Sequence, residues 1–455
     1  DAREALRLFT QLLPDQQRAL SPDHPNILRT RNNIASWTGR TGDAQEALRL
    51  FTQLLSDQQR VLSPDHPNIL RTRTNIASWT GRTGNVQEAL RLFTQLLPDQ
   101  QRVLSPDHPD TLRTCSSIAS WTGRTGNVQE ALRLFTQLLP DQQRVLGPDY
   151  PDTLRTRSNI ASWTGRAGNV QEALRLFTQL LPDQQRVLGP DHPDTLTTRS
   201  SIASRAGLTG DTREALRLFT QLLPAQQRVL GPEHPDTLTT RSSIASSTAR
   251  TGKVREALRL FTQLLPDQER VLSPDHLDTL TTRSNIAFWT GETGDTREAL
   301  RLFTQLLPDQ QRVLGHDHPD TLTTRNSIAR WTGRTGNAQE ALRLFTQLLP
   351  GQQRVLSPDH PNTLRTRSSI ASSTGETGDA REALRLFTQL LPDQQRVLGP
   401  DHPNTLTTRS SIASSTGETG DAREALRLFT QLLPDQQRVL SPDHPNILRT
   451  RTNIA

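Results

Sequence analysis

Apolar residues recur along this chain in two alternating stripes. In the first, Ala5, Leu6, Phe9, Leu12, Leu13, Ala19 and Leu20 recur at three- and four-residue spacing; in the second, Leu28, Ile34, Ala35 and Trp37 form a shorter stripe. Each stripe predicts an amphipathic helix, called here helix B (first half) and helix A (second half). Neither is apolar enough to stand alone in water, so each must bury its stripe against the other and against neighbouring copies.

The pair recurs with a strict period of 42 residues, opening at Asp1, Asp43, Asn85, Asn127, Asn169, Asp211, Lys253, Asp295, Asn337 and Asp379, with a shortened eleventh copy from Asp421 to Ala455. The segment EALRLFTQLL is unchanged in all eleven. A period of this size predicts an all-α solenoid of antiparallel helix pairs in which each unit packs on its neighbours. The expected organisation is one solenoid domain over residues 1–455, with units 1–42, 43–84, 85–126, 127–168, 169–210, 211–252, 253–294, 295–336, 337–378, 379–420 and 421–455. Residue numbers of the first copy serve below as repeat positions.

Local signals agree with these helices. Gly42, Asp43 and Glu46 form a capping-box pattern at the start of helix B, with Asp in place of Ser or Thr. Ser21-Pro22, or Gly147-Pro148 in the fourth copy, stops it, and Pro25 opens helix A. Gly39 to Gly42 reads as the turn into the next copy. Pro14, replaced only by Ser56, falls inside helix B, where it either kinks the helix or divides it; the unbroken phase of the apolar stripe favours a kink.

Composition changes little. The 53 basic and 47 acidic groups leave a net charge of +6, and the isoelectric point near 10.7 is high because almost nothing titrates between neutrality and the arginines. Charge therefore does not by itself imply a polyanion partner. The single cysteine, Cys115, excludes an internal disulfide or a cysteine metal cluster, and no apolar run approaches the roughly 18 residues of a membrane span. A chain without methionine that starts and stops within helices reads as a fragment of a longer cytoplasmic protein. Its 52 arginines against one lysine fit a GC-rich, actinobacterial source.

The two-helix unit, with Ala5, Phe9, Ile34, Ala35 and Gly42 at these spacings, resembles the tetratricopeptide repeat, and most closely its 42-residue kinesin-light-chain-like variety. The matching residues are His192-Pro193-Asp194, Gly210, Glu214, Ala215, Leu218, Phe219 and Leu230-Gly231-Pro232; the unit departs from that variety at Arg31, Trp37 and Thr38. The resemblance implies a right-handed superhelix with helix A lining a concave groove, and a protein-interaction role. In actinobacteria such arrays look like the sensor arm of signalling ATPases of the NB-ARC kind, whose nucleotide site lies on a separate domain.

If helix A lines a groove, positions 29, 32, 33, 36 and 40 share its exposed face. Position 29 is Arg29, Arg71, Arg113 and Arg155 in the first four copies and Thr197, Thr239, Thr281 and Thr323 in the next four. Position 40 is Arg40, Arg82, Arg124 and Arg166 early, and glutamate at Glu292, Glu376 and Glu418. The expected ligand is an extended acidic peptide, its carboxylates on these arginines and its backbone on Asn33, Asn75 and Asn159. Position 31, arginine in ten copies, is expected to pack its stem and pair with a carboxylate of a neighbouring helix, a pair that Cys115 loses.

The tryptophans Trp37, Trp79, Trp121, Trp163, Trp289 and Trp331, replaced elsewhere by Arg205, Ser247, Ser373 and Ser415, are either groove anchors or packing between copies; if packing, the serine copies carry cavities. The recurrent histidine (His24 and its equivalents) is a helix-entry residue, because equivalent atoms of successive copies stand too far apart to share a zinc ion. Gly252-Lys253 lacks the remaining residues of a phosphate loop, and no catalytic constellation is present. No cofactor or metal is expected. The alternative to a peptide scaffold is a nucleic-acid-binding helical array, which the position-40 glutamates oppose. The uncapped ends are expected to favour self-association.

Overall fold

The computed structural model describes residues 2–440 and 444–454. The opening of the first copy at Asp1, the turn residues 441–443 and the terminal Ala455 lie outside the described residues. Among those described there are 22 α-helices and no strand, and helices B and A alternate through every copy, joined by links of three to five residues. In the second copy helix B is Ala44–Val61 and helix A is Pro67–Arg82. Such short links make neighbours antiparallel.

Packing falls into two compact units, residues 1–230 and 231–455. Within each, consecutive helices lie against one another in chain order. The core of the first unit is a recurring cluster. Leu28 and Ala35 of one helix A meet Ala47, Phe51 and Leu54 of the next helix B, and Trp79 of the following helix A closes the group. The same positions recur in the second unit as Leu280, Ala287, Ala299, Phe303, Leu306 and Trp331.

Helix B runs through its proline in ten copies rather than dividing there. The ring lacks the N–H that the carbonyl four residues earlier would accept. In the exceptional second copy the Ser56 hydroxyl donates to that carbonyl, Thr52 O, at 3.3 Å. The capping box forms only by half. Asp43 Oδ1 accepts from Glu46 N at 2.9 Å, but the Glu46 carboxylate turns away to Arg49, and Asp43 N donates to Thr38 O. The recurrent histidine caps helix A: His66 Nδ1 accepts from Asn68 N at 3.1 Å, and Tyr150, its replacement in the fourth copy, makes no such bond.

Two ion-pair ladders tie successive copies together. Position 31 pairs with the aspartate at position 15 of the next helix B, as in Arg73–Asp99, Arg157–Asp183 and Arg283–Asp309 at 2.7 to 2.8 Å. The expectation for position 31 therefore holds, and where Cys115 stands Asp141 is left to Arg144 of its own helix. The second ladder joins position 18 to the turn aspartate of the preceding copy, as in Arg102–Asp65, Arg144–Asp107 and Arg186–Asp149 at 2.6 to 2.7 Å.

Hydrogen bonds from these arginines hold Asp65, Asp107, Asp149, Asp275 and Asp359 below the usual carboxylate range. A carboxylate depressed in the folded state stabilises the fold above its unfolded pKa, and that contribution is lost as pH falls through the folded value. Thermal midpoints should therefore stay level from neutrality to about pH 5 and decline below about pH 4, where free aspartate protonates. These groups are exposed, so added salt at pH 7 should weaken the same contribution. A midpoint indifferent to both would show that the ladders stabilise nothing.

Candidate functional site

The exposed face of helix A is built by repetition. Every helix A from the first copy to the tenth buries positions 28, 30 and 35, which turns positions 29, 33 and 40 outward. Arg29, Arg71, Arg113, Arg155, Arg40, Arg82, Arg124 and Arg166 are exposed, and Asn33, Asn75 and Asn159 are half-buried.

The eleven residues do not form one uniform surface. Arg40, Arg82, Arg124 and Arg166 each lie over the indole three residues earlier, with the guanidinium carbon 4.6 to 4.8 Å from the ring centroid. Cation–π stacking at such exposed sites contributes about 0.5–1 kcal/mol and fixes the fork in place. Arg113 is held by Asp152 at 2.8 Å and Asp110 at 3.0 Å, and Arg155 by Asp152 at 2.9 Å. These two were expected to await a ligand's carboxylates; aspartates at position 26 of the same array already supply them. Copies one and two carry Asn26 and Asn68 there instead, and Arg29 and Arg71 have no ion pair among the described residues. They meet across a cavity of about 170 Å³ lined also by Asn32, Gln58 and Asn68. Asn75 Nδ2 donates to Asn32 Oδ1 at 3.3 Å beside it. Asn33 and Asn159 stand on the same face of their own copies, and no bond draws them to this cavity.

The tryptophans resolve toward packing. Trp79, Trp121, Trp163 and Trp331 are buried, each seated on the glycine at position 39 of the preceding copy. A Cβ placed on Gly81 would stand 2.2 Å from Trp121 Cη2, so only glycine leaves room for the indole. The sequence reading assigned Gly39 to the turn; in the structure it lies inside helix A, which ends at Arg40. The one copy with alanine at this position, Ala249, is followed by Trp289, which is half-exposed and packs edge-on against Phe288 at 4.9 Å. Trp37, in the first copy, is likewise half-exposed. At Gly165 the Arg205 side chain takes the place of the indole, and burial lowers its basicity. No correlation between positions 39 and 37 announces this packing in the sequence, since Gly165, Gly207, Gly333 and Gly375 precede Arg205, Ser247, Ser373 and Ser415 and Ala249 precedes Trp289; the close approach in space reveals it.

Among the described residues no three His, Cys, Asp or Glu side chains converge as metal ligands, and no helix is long and apolar enough to cross a membrane. Along the helix-A face, the position-29 arginines of the first two copies are open and those of the next two are held by aspartates.

Ten overlapping matches to the tetratricopeptide repeat model cover residues 1–60, 32–98, 74–142, 116–185, 159–227, 208–267, 242–311, 278–351, 333–392 and 370–438. The chain belongs to the tetratricopeptide repeat family. As a tetratricopeptide repeat protein it is a protein-interaction scaffold. Among solved structures, the nearly identical TPR-like repeats of Podosopora anserina, ascribed to a kinesin light chain, are 30% identical. They cover 45% of this chain and 97% of that one, with a TM-score of 0.38. BtubC (BKLC) of P. vanneervenii is 14% identical over 50% of this chain and 92% of that one, with a TM-score of 0.42. The apo form of the quorum sensor NprR from B. thuringiensis is 11% identical, covers 90% of this chain and 98% of that one, and gives a TM-score of 0.53. That likeness concerns the fold. A comparison with curated proteins found no match.

Proposed function

We propose that this tetratricopeptide repeat array binds an extended, acidic peptide segment along its A helices, with the open pair Arg29 and Arg71 as the main carboxylate site. The observation that carries this reading is the change from aspartate to asparagine at position 26. Where Asp110 and Asp152 stand, the array neutralises its own arginines; where Asn26 and Asn68 stand, it leaves two forks open around one polar cavity. Guanidinium forks pair with carboxylates in a bidentate geometry that lysine cannot reproduce. Asn33, Asn75 and Asn159 then serve the peptide backbone, and the stacked Arg40, Arg82, Arg124 and Arg166 flank it.

In this reading residues 1–455 act as one non-catalytic scaffold in the cytoplasm. The resemblance to actinobacterial arrays supports placing it as the sensing arm of a larger signalling protein with an NB-ARC-type ATPase domain. A single-stranded nucleic acid has less support. Such ligands need exposed aromatic platforms, and the indoles of Trp79, Trp121, Trp163 and Trp331 are buried.

The test is the double substitution Arg29→Glu with Arg71→Glu. Hydrogen bonds to charged groups contribute about 1.5–3 kcal/mol each, so affinity for acidic peptides should fall by more than about 100-fold. Helicity by circular dichroism should not change, because both side chains are exposed and unpaired. Binding that survives the double charge reversal would refute the assignment.

A further inference from the structure

In the second unit two copies retain the glycine of the indole seat but lack the indole. Gly333 is followed by Ser373 and Gly375 by Ser415. In place of a ring 2.4 Å from an added Cβ, as at Gly291, each of these glycines meets only the Cβ of Ala341 or Ala383 at 3.3 to 3.4 Å. The vacated seats are open cavities of about 330 Å³ and 300 Å³. Cavities are thus found at two of the serine copies, Ser373 and Ser415, that were expected to carry them. The first lies at the small end of the range typical of ligand pockets, about 300–1,000 Å³.

The two cavities differ at the rim. Glu376, Glu418 and Arg449 surround the second, whereas Arg330, Arg334 and Arg365 converge on the first, with Glu376 as the one acidic group lining it. Its floor is Phe345, and the buried Gln394 presents a carbonyl oxygen that has no partner. Arg330 and Arg334 share a single carboxylate, Glu292, at 2.7 and 3.5 Å. Arg365 stands between Asn362 and Asn404, at the positions whose aspartates hold Arg113 in the first unit. Burial lowers the basicity of Arg330, and the neighbouring charges of Arg334 and Arg365 lower it further. A crowded set of cations therefore faces a half-polar cleft that opens on the Phe345 ring and on the emptied indole seat.

We propose that the cavity between Gly333 and Ser373 is a binding site for a small planar aromatic carboxylate, with the ring in the vacated indole seat above Phe345 and the carboxylate on Arg365 and its arginine neighbours. The ring restores contacts that Trp331 makes one copy earlier. The carboxylate supplies a partner to Arg365, for which Glu292 does nothing, since Glu292 pairs with Arg330 and Arg334. A ring N–H, where the ligand has one, meets the open acceptor of Gln394. The second cavity, with its two glutamates, repels the same ligand. This site is independent of the peptide reading, which rests on Arg29 and Arg71 in the other unit.

The probe is indole-3-acetate, titrated calorimetrically into the whole chain, with neutral indole as the uncharged control. Indole-3-acetate should bind at one site, at least about 10-fold more tightly than indole. Ser373→Trp, which installs the side chain four other copies seat on the same glycine, should reduce that binding by more than about 100-fold, and Ser415→Trp should leave it within about two-fold. Arg365→Gln keeps the cavity and should bring the affinity for indole-3-acetate down to that for indole. The proposal is overturned by no binding of indole-3-acetate up to millimolar concentration, by equal binding of indole, or by binding that Ser373→Trp and Arg365→Gln leave intact. Acidic-peptide binding measured on the same variants reports separately on the first unit.

Discussion

Gly81→Ala is expected to expel the Trp121 indole and to destabilise that part of the array by about 3–5 kcal/mol, the range for emptying a buried aromatic site. The added Cβ would stand 2.2 Å from a rigid ring, within a helix that cannot shift without disturbing the cluster of Ala77, Ala89 and Phe93 beneath it. The array already contains the outcome, since Trp289 lies half-exposed behind Ala249. Because both substitutions remove the same contact, Gly81→Ala combined with Trp121→Ser should cost little more than either alone. Repeat arrays transmit such losses mainly to nearest neighbours. Hydrogen exchange should accordingly quicken in the second and third copies and leave distant ones unchanged. Additive costs in the double variant would show that glycine and indole act independently.

The triple substitution Ser105→Gly, Ser273→Gly and Ser357→Gly is expected to stabilise the protein by about 3 kcal/mol in total. These serines hold φ of 89°, 94° and 89° with no side-chain reason to do so. A non-glycine residue in this region costs about 1–3 kcal/mol, and glycine returns roughly 0.5–1 kcal/mol through the greater freedom of the unfolded chain. The net is about 1 kcal/mol at each site. Five other copies carry glycine at this position, Gly147, Gly189, Gly231, Gly315 and Gly399, at φ of 94° to 99°, so the backbone accommodates it. Denaturant midpoints of the parent and triple variant measure the difference. An unchanged or lowered midpoint would mean that the serines relax locally and store no strain.

Much of the fold could be read from the sequence because repetition multiplies weak signals. One amphipathic stripe is ambiguous, but Phe9 and its ten equivalents at constant phase are not. Position 31 was also legible, because an arginine on a packed flank needs a carboxylate and Asp57 or its equivalents lie on the next helix. The candidate site was read less well. The arginines of position 29 look alike in sequence, yet Arg113 and Arg155 are held by aspartates three residues earlier on their own helices, and Arg113 also by Asp152 of the next copy, a cross-copy contact that no local pattern reveals. The role of Gly39 was hidden for the same reason: its partner lies 40 residues away, and a glycine three residues before another glycine reads as a turn. The capping box failed in one detail, where Glu46 found a better partner in Arg49 than the N-terminal amide.

The most direct test of the account is a selection of extended peptides from a random-sequence display library on the whole chain, repeated on the Arg29→Glu, Arg71→Glu variant. The account predicts that recovered peptides are rich in aspartate and glutamate, bind less tightly as salt rises, and fail to bind the variant. Recovered peptides without acidic bias, or acidic ones that the variant binds equally well, would contradict it.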